Sequence, residues 1–521
     1  MNELNRLVPI IERHTEELKI AGVISIRPGY RLENGWPTKQ PAIVVVIAPG
    51  VDATGLPSQV EGVPVDIRPA TPGELLRHAE PERYARLAAQ RPEFEAGAFP
   101  EVDPVVETDA GEPPQAAIEA AKPHIPYTPA PGVSLSKVTG TMRVVCHASP
   151  DAGWPTLREF MSQTQTTLTV GLYDFTSDHI LKEVEKDLAG AKTLVLTLDQ
   201  PPRNPTADHR DTETVSELQT DLGTSFEFAW ALVEARSAIQ RWIYPSAYHI
   251  KVAVRDSSAV WLSSGNWNNS NQPDMDPINN PMSTDQKLAR NSDRDWHVII
   301  EDQGLAKTYE AFLKHDFDVA AGEAGGIPAP LEAGPELAVP VEFQPEAVAK
   351  WTFFPPLVLE NESVTVTPLL TPDQDVYAPA MLDLIRNAQE RLFIQLQYIH
   401  PSDKPEDAGL AALVGAVADK INSNQVDVRI IVSEFQRDHG WLERLQAAGV
   451  DLARVKIQNH VHNKAFVVDS TVVALGSQNW SGDGVLRNRD ASVIIENARA
   501  AAYFESIFQH DWDKIAVQSV I

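Results

Sequence analysis

Tyr248-His249-Ile250-Lys251-Val252-Ala253-Val254 and, much later in the chain, His462-Asn463-Lys464-Ala465-Phe466-Val467 decide how this sequence is read. Both stretches alternate with period two, so side chains at i and i+2 share one face of a strand. His249 and Lys251 therefore point together, with Ile250, Val252 and Val254 turned to a core. His462 and Lys464 do the same, with Asn463, Ala465 and Val467 opposite. Each strand runs into a turn with an aspartate, Asp256 or Asp469. A second apolar strand then ends in Ser264-Gly265-Asn266-Trp267 or in Ser477-Gln478-Asn479-Trp480.

Working outward, the similarity extends over two whole blocks, and such internal repetition organises a fold. The first block opens Ser149-Pro150-Asp151, then has a helical stripe (Leu157, Phe160, Met161) and a strand, Leu168–Phe175. The second opens Thr371-Pro372-Asp373, then has Met381, Leu382 and Ile385, and Leu392–Ile399. After the Ser-x-Asn-Trp elements come Arg294 to Glu301 and Arg489 to Glu496, both Arg-Asp-x-x-Val-Ile-Ile-Glu. Each block closes on an apolar helix ending His-Asp-aromatic-Asp, at His315 to Asp318 and His510 to Asp513. The first copy is longer between its motifs, and the excess is the Asn-rich stretch Asn268 to Thr284. Strands alternate with helices in each copy, which predicts an α/β fold of two duplicated lobes, mixed sheets flanked by helices.

The remaining chain divides around these lobes. Residues 1–78 read as a small α+β unit: a helical stripe (Leu4, Leu7, Val8, Ile11, Leu18), short strands at Val23–Ile26, Ile43–Ile47 and Val63–Ile67, and a helix start at Thr71-Pro72. No catalytic constellation lies there, and an accessory or docking role is expected. Residues 79–139 and 320–351 are rich in proline and are expected to be linkers, leaving lobes over 140–319 and 352–521.

Composition bounds the class. At roughly 150 residues per domain, 521 residues suggest about three domains. With 43% hydrophobic residues the chain fills several cores, which excludes disorder of the whole. No apolar run reaches the roughly 18 residues of a membrane span. The first residues carry charge from Glu3 onward, so no secretory signal is expected. The single cysteine, Cys146, excludes an internal disulfide and points to a reducing, cytoplasmic compartment. A net charge of −28 repels long polyanions but is compatible with a small basic pocket for one phosphate.

One His-Lys-Ser-Asn set can bind a phosphate but offers a single proton-transfer group. Two sets facing each other supply a nucleophile for phosphorus and an acid for the leaving oxygen, with lysines and asparagines stabilising the equatorial oxygens. A carboxylate behind each imidazole would fix its tautomer.

His249-x-Lys251-x-x-x-x-Asp256 and His462-x-Lys464-x-x-x-x-Asp469, each followed by Ser-x-Asn, resemble the paired HKD motifs of the phospholipase D superfamily, over residues 140–521. The resemblance implies two lobes related by pseudo-twofold symmetry with the site between them. It implies phosphodiester hydrolysis through a phosphohistidine, no cofactor and no metal. His249 and His462 become nucleophile and general acid, the first motif supplying the nucleophile by analogy, since the residues themselves barely distinguish them. Lys251, Lys464, Asn266, Asn479, Ser264 and Ser477 become phosphate ligands, and Asp256 and Asp469 structural turn residues. The family's usual glutamate, bonded to the partner imidazole, corresponds here to Asp295 and Asp490, shorter by one methylene. Ser263 stands where glycine is common, while Gly476 keeps it.

Plainer roles fit other residues. His460-x-His462 has a metal-ligand spacing, but Ala247 is its counterpart and no third ligand is apparent. His315 and His510 read as helix-end caps. Trp267 and Trp480 fit core or pocket wall equally. His297, whose counterpart is Ser492, reads as exposed or packing, and Glu301 and Glu496 as structural. The expected substrate is a phospholipid head-group diester, with transient contact to a membrane surface and a monomer sufficing. The alternative is a metal-independent endonuclease whose groove would use Arg255, Arg290, Arg294, Arg487 and Arg489, although nucleic acid fits the charge less well. A non-catalytic scaffold is the third reading.

Overall fold

The structure is a computed structural model that describes residues 6–19, 22–33, 36–48, 53, 55–70, 106–107, 125–199, 209–234, 240–281, 285–321 and 351–519. In the N-terminal unit, helices Val8–Arg13 and Thr15–Leu18 bury Leu7, Ile11 and Leu18 against a sheet of β1 (Val23–Glu33), β2 (Trp36–Ile47), β3 (Gln59–Val60), β4 (Val63–Pro69) and β5 (Val106–Glu107). β1 and β2 are longer than expected because the Gly/Pro-rich stretch is itself strand. Gly29 fits there because a Cβ would meet Val44 Cγ2 at 2.7 Å. The helix start at Thr71-Pro72 lies outside the described residues.

The first lobe contains β6 (Val138–Ser149), β7 (Thr167–Leu172), β8 (Thr193–Leu198), β9 (Phe226–Trp230), a small hairpin of β10 (Leu232–Glu234) and β11 (Gln240–Trp242), then β12 (Lys251–Arg255), β13 (Ala259–Ser263) and β14 (Asp295–Glu301). The second contains β15 (Leu357–Thr371), β16 (Arg391–Leu396), β17 (Asp427–Val432), β18 (Val455–Ile457), β19 (Lys464–Val468), β20 (Val472–Gly476), β21 (Asp490–Glu496) and β22 (Val517–Ser519). The two form one 15-stranded mixed sheet joined at an antiparallel β6–β15 seam. From the seam one side reads β6-β14-β13-β12-β7-β8-β9 and the other β15-β21-β20-β19-β16-β17-β18, with β22 added at its outer edge, so the sequence repeat reappears as a palindrome of the first seven strands on each side.

Alternation along β12 sorts side chains as expected: Val252 and Val254 enter the core shared by both lobes, and Ala253 enters the first lobe's other core. The shared core also receives Tyr309, Phe312 and Leu313 from helix Gln303–Ala321, and Phe504, Ile507 and Phe508 from helix Ala498–His510. Burying one apolar layer from both copies packs the lobes against each other. The arm 125–135 belongs to this layer too: Ile125, Tyr127, Ala130, Val133 and Leu135 pack on this core, so the expected linker 79–139 is shorter at its end. His315, expected to cap its helix, instead bonds this arm, Nε2 to Thr128 O at 2.7 Å. No helix among the described residues is long and apolar enough to cross a membrane.

Candidate active site

Both histidines sit just before their strands rather than within them, because the backbone leading into each pairs with the opposite lobe. Arg489 N–H donates to Ala247 O (2.9 Å), Arg294 N–H to His460 O (2.7 Å), and His462 N–H to Arg294 O (3.2 Å). The side chains cross over as well. His249 Nδ1 meets Asp490 Oδ1 of the other lobe at 2.9 Å, and His462 Nδ1 meets Asp295 Oδ1 at 3.0 Å. A carboxylate at Nδ1 fixes the tautomer, so a neutral ring presents Nε2 as its lone-pair nitrogen. Behind the carboxylates, Ser264 Oγ donates to Asp295 Oδ1 (2.7 Å) and Ser477 Oγ to Asp490 Oδ1 (2.5 Å). These hydroxyls, expected on phosphate, are thus occupied with orienting the aspartates, and each also accepts a backbone N–H, from Trp296 and Ala491.

The two half-sites are not electrically alike. Burial, then the charges of Lys251, Lys464 and His462, hold His249 well below the usual imidazole range. Burial pushes its partner Asp490 up to about 8 despite Lys251 and Lys464. Burial would raise Asp295 also, but His462, Lys464 and His297 pull it down to about 2. The His462 side chain keeps 13% exposure, against 1% for His249, so the second imidazole is the one in contact with solvent.

Lys251 Nζ donates to His249 O (2.6 Å) and lies 5.3 Å from the Tyr173 ring centroid; Lys464 Nζ donates to His462 O (2.5 Å) and to Nε2 (3.0 Å). The Asn266 and Asn479 amides are buried, and among the described residues Asn266 Oδ1 and both polar side-chain atoms of Asn479 have no hydrogen-bond partner. Such atoms are costly to bury unless a guest or solvent satisfies them. The Asn-rich insertion holds the backbone of Asn266, its main-chain N–H donating to Asn271 Oδ1 (2.8 Å) while Asn271 Nδ2 donates to Asp293 (2.9 Å).

Asp256 and Asp469 stand away from this cluster, at the far strand ends, with φ of 51° and 50°. Asp256 accepts the N–H groups of Gln165, Thr166 and Thr167, and Asp469 those of Gln389, Glu390 and Arg391. Partial burial raises both, but these donors win and hold them below the usual carboxylate range.

The arginines read as a basic groove are mostly neutralised. Arg294 joins Asp151 (2.9 Å) and Asp511 (2.9 and 3.0 Å); Arg489 joins Asp316 (2.7 Å twice) and Asp373, all fully buried. Arg487 pairs with Asp407 and Asp483, and Arg255 with Gln163 and Glu301. His297 takes the packing alternative, wholly buried, bonded through Nδ1 to Ser263 Oγ (2.6 Å) and through Nε2 to Ser149 Oγ (2.9 Å), and burial takes it down to about 4. Trp267 and Trp480 are core. Sequence reading missed Tyr173, whose ring lies 5.1 Å from that of His249; its signal was its place at the carboxyl end of β7, where α/β sheets build their sites.

Two crossed Ser-Asp-His sets, each with a lysine and an asparagine, on one palindromic sheet define a paired-histidine, two-lobed protein. Residues 381–512 match the family model for the cardiolipin synthase PLD-like domain. The chain is 28% identical over 119 residues to the phospholipase D of Rickettsia bellii (23% of this chain, 55% of that protein) and 26% over 97 residues to the mitochondrial cardiolipin hydrolase of Chlamydomonas reinhardtii (18% and 43%). It spans about half the length of the curated relatives it matches. Among solved structures it is similar to phosphatidylserine synthase of Haemophilus influenzae Rd KW20 (13% identity, TM-score 0.45, 73% of this chain and 89% of that one) and to NUC of Salmonella typhimurium, a phospholipase D family member (22%, 0.24, 30% and 99%). Within the second lobe, residues 381–512 are thus similar to the PLD-like domain, as the paired motifs led one to expect.

Proposed function

We propose that the protein hydrolyses the head-group phosphodiester of a phospholipid through a phosphohistidine intermediate. The observation that carries this reading is the crossed pairing of His249 with Asp490 and His462 with Asp295, which makes one site from two lobes. His249 is the nucleophile, since burial and neighbouring cations keep it unprotonated. Its Nε2 attacks phosphorus, the bond to the leaving alcohol breaks, and His462 gives the alkoxide its proton. Water then attacks the phosphohistidine, His462 takes the water proton, and the P–N bond breaks to release the phosphate monoester and restore His249. Lys251, Lys464, Asn266 and Asn479 hold the phosphoryl oxygens, whose charge is the principal object of stabilisation.

The lipid reading is supported over the nuclease by the arginine pairs, which leave little local cation to offset a net charge of −28. The test is cleavage of phosphatidylcholine, phosphatidylethanolamine, cardiolipin and single-stranded DNA in EDTA. Head-group release is expected, with His249→Ala and His462→Ala each losing at least ~10³ in rate, about 4 kcal/mol of barrier. Acid quenching should trap phosphate on His249. Cleavage of DNA alone would overturn the lipid reading, full activity in both variants would remove the two-histidine mechanism, and label on His462 would reverse the roles.

A further inference from the structure

Second-lobe residues Glu434–Gly440 lead into helix Trp441–Ala447, and this segment reaches both arms of the second half-site. Glu434 Oε2 accepts the His460 N–H (3.0 Å), two residues before His462. Gln436 brackets Ile399, accepting its N–H (2.7 Å) and donating to its carbonyl (2.8 Å). The next residue, His400, donates its N–H to Trp480 O (2.7 Å), adjoining Asn479. Trp441 stacks on His400 with centroids 3.9 Å apart, and His400 stacks likewise on Tyr398.

The other side of the segment meets the N-terminal unit. Arg68 Nη1 donates to Glu443 Oε1 at 2.9 Å, while its remaining nitrogens are fixed by Asp66 Oδ2 (3.1 and 2.9 Å) and Tyr30 O (2.5 Å). Arg27 lies close to Gly440, where a Cβ would come within 3.1 Å of its Nη1; Gly440 has φ of 73°. With side-chain exposures of 15% and 7%, the Arg68–Glu443 pair escapes most of the screening that makes surface pairs weak, and the guanidinium is held ready by bonds within its own unit.

We propose that the N-terminal unit buttresses the second half-site: Arg68 and Glu443 are positioning residues that, through 434–447, set His460–His462 and Trp480–Asn479. The unit is thus part of the support of one half-site rather than a detached docking module.

The test uses the full chain with Arg68→Glu, Glu443→Arg and the double charge swap, read by amide hydrogen exchange and by steady-state kinetics. Each single variant should speed exchange at His400 and His460 about tenfold and lower kcat on the diester at least ~fivefold. The swap, which still sets a glutamate at position 68 beside Asp66 and Tyr30 O, should recover part of both, and the milder Glu443→Gln should shift them the same way as the singles by less. Unchanged exchange in the singles, or a swap no better than either single, overturns the proposal. The kinetic arm rests on the phosphodiesterase reading above; the exchange arm needs no substrate, so accelerated exchange in a protein with no diesterase activity would sink that reading and leave the buttress standing.

Discussion

Replacing Asp316 by alanine removes one side of a buried inter-lobe clamp. Asp316, on the last helix of the first lobe, accepts both Nε and Nη2 of Arg489 at 2.7 Å and the Tyr244 hydroxyl at 2.6 Å. Among the described residues Asp373 alone would remain to balance a fully buried guanidinium. Leaving a buried charge half-compensated costs about 3–5 kcal/mol. At about 2–4 °C per kcal/mol for a unit the size of one lobe, Asp316→Ala should lower Tm by roughly 6–20 °C. Activity should fall as well, since Arg489 also donates its backbone N–H to Ala247 and precedes Asp490. The assay is differential scanning calorimetry beside diester cleavage below the transition. The replacement Asp316→Asn, which keeps the shape and an acceptor, should lie between. A loss below about 1 kcal/mol would refute the idea that this ion pair joins the lobes.

Other perturbations separate groups that look equivalent. Asp295, held near 2, contributes stability that is present above its unfolded value of about 3.9 and is lost as pH falls toward 2. Asp295→Asn should therefore cost about 2–3 kcal/mol at pH 7. Asp490, raised to about 8, contributes stability that is full below about pH 4 and lost as pH rises through 8, so Asp490→Asn should be neutral or stabilising at pH 9; equal Tm losses in both variants at that pH would contradict the asymmetry. The same group gives kcat/KM an acidic limb: below about pH 8 a protonated Asp490 at Nδ1 leaves the proton of the neutral His249 ring on Nε2, so activity rises with pH up to about 8, and a profile flat between pH 6 and 9 would count against His249 as nucleophile. Asp469→Ala strips three backbone N–H groups of their acceptor and should cost about 1–3 kcal/mol with kcat within about twofold; a large fall in kcat without loss of Tm would move Asp469 into the site.

Much of this was legible in the chain, and the limits are physical. Period-two alternation around His249 and His462 is a local signal, and the repeat multiplies it, so the strands, the duplication and the histidine-lysine-asparagine sets could be read from spacing alone. The repeated Ser/Thr-Pro-Asp, Arg-Asp and His-Asp-aromatic-Asp elements were equally visible, but not their purpose. Arg294 with Asp151 and Asp511, and Arg489 with Asp373 and Asp316, join residues far apart in sequence, and charge beside a motif reads as a groove until burial is known. The serines misled for a related reason: a hydroxyl beside a phosphate site and a hydroxyl orienting the carboxylate behind it share one sequence pattern. His297 was legible only as exposed or packing, because an unrepeated histidine carries no mark of the two serines that enclose it.

The crossed carboxylates have a genetic consequence. In an assembly of two identical halves every mutation would strike both half-sites at once, and neither could specialise. Tethering the copies in one polypeptide removes that constraint. Here one half carries the Asn268–Thr284 stretch that the other lacks, and the other meets the N-terminal unit through Glu443, while each still lends its aspartate to its twin. Two chains, each inactivated in a different lobe, should not rescue one another by simple mixing; only an exchange of lobes between molecules would rebuild an intact centre.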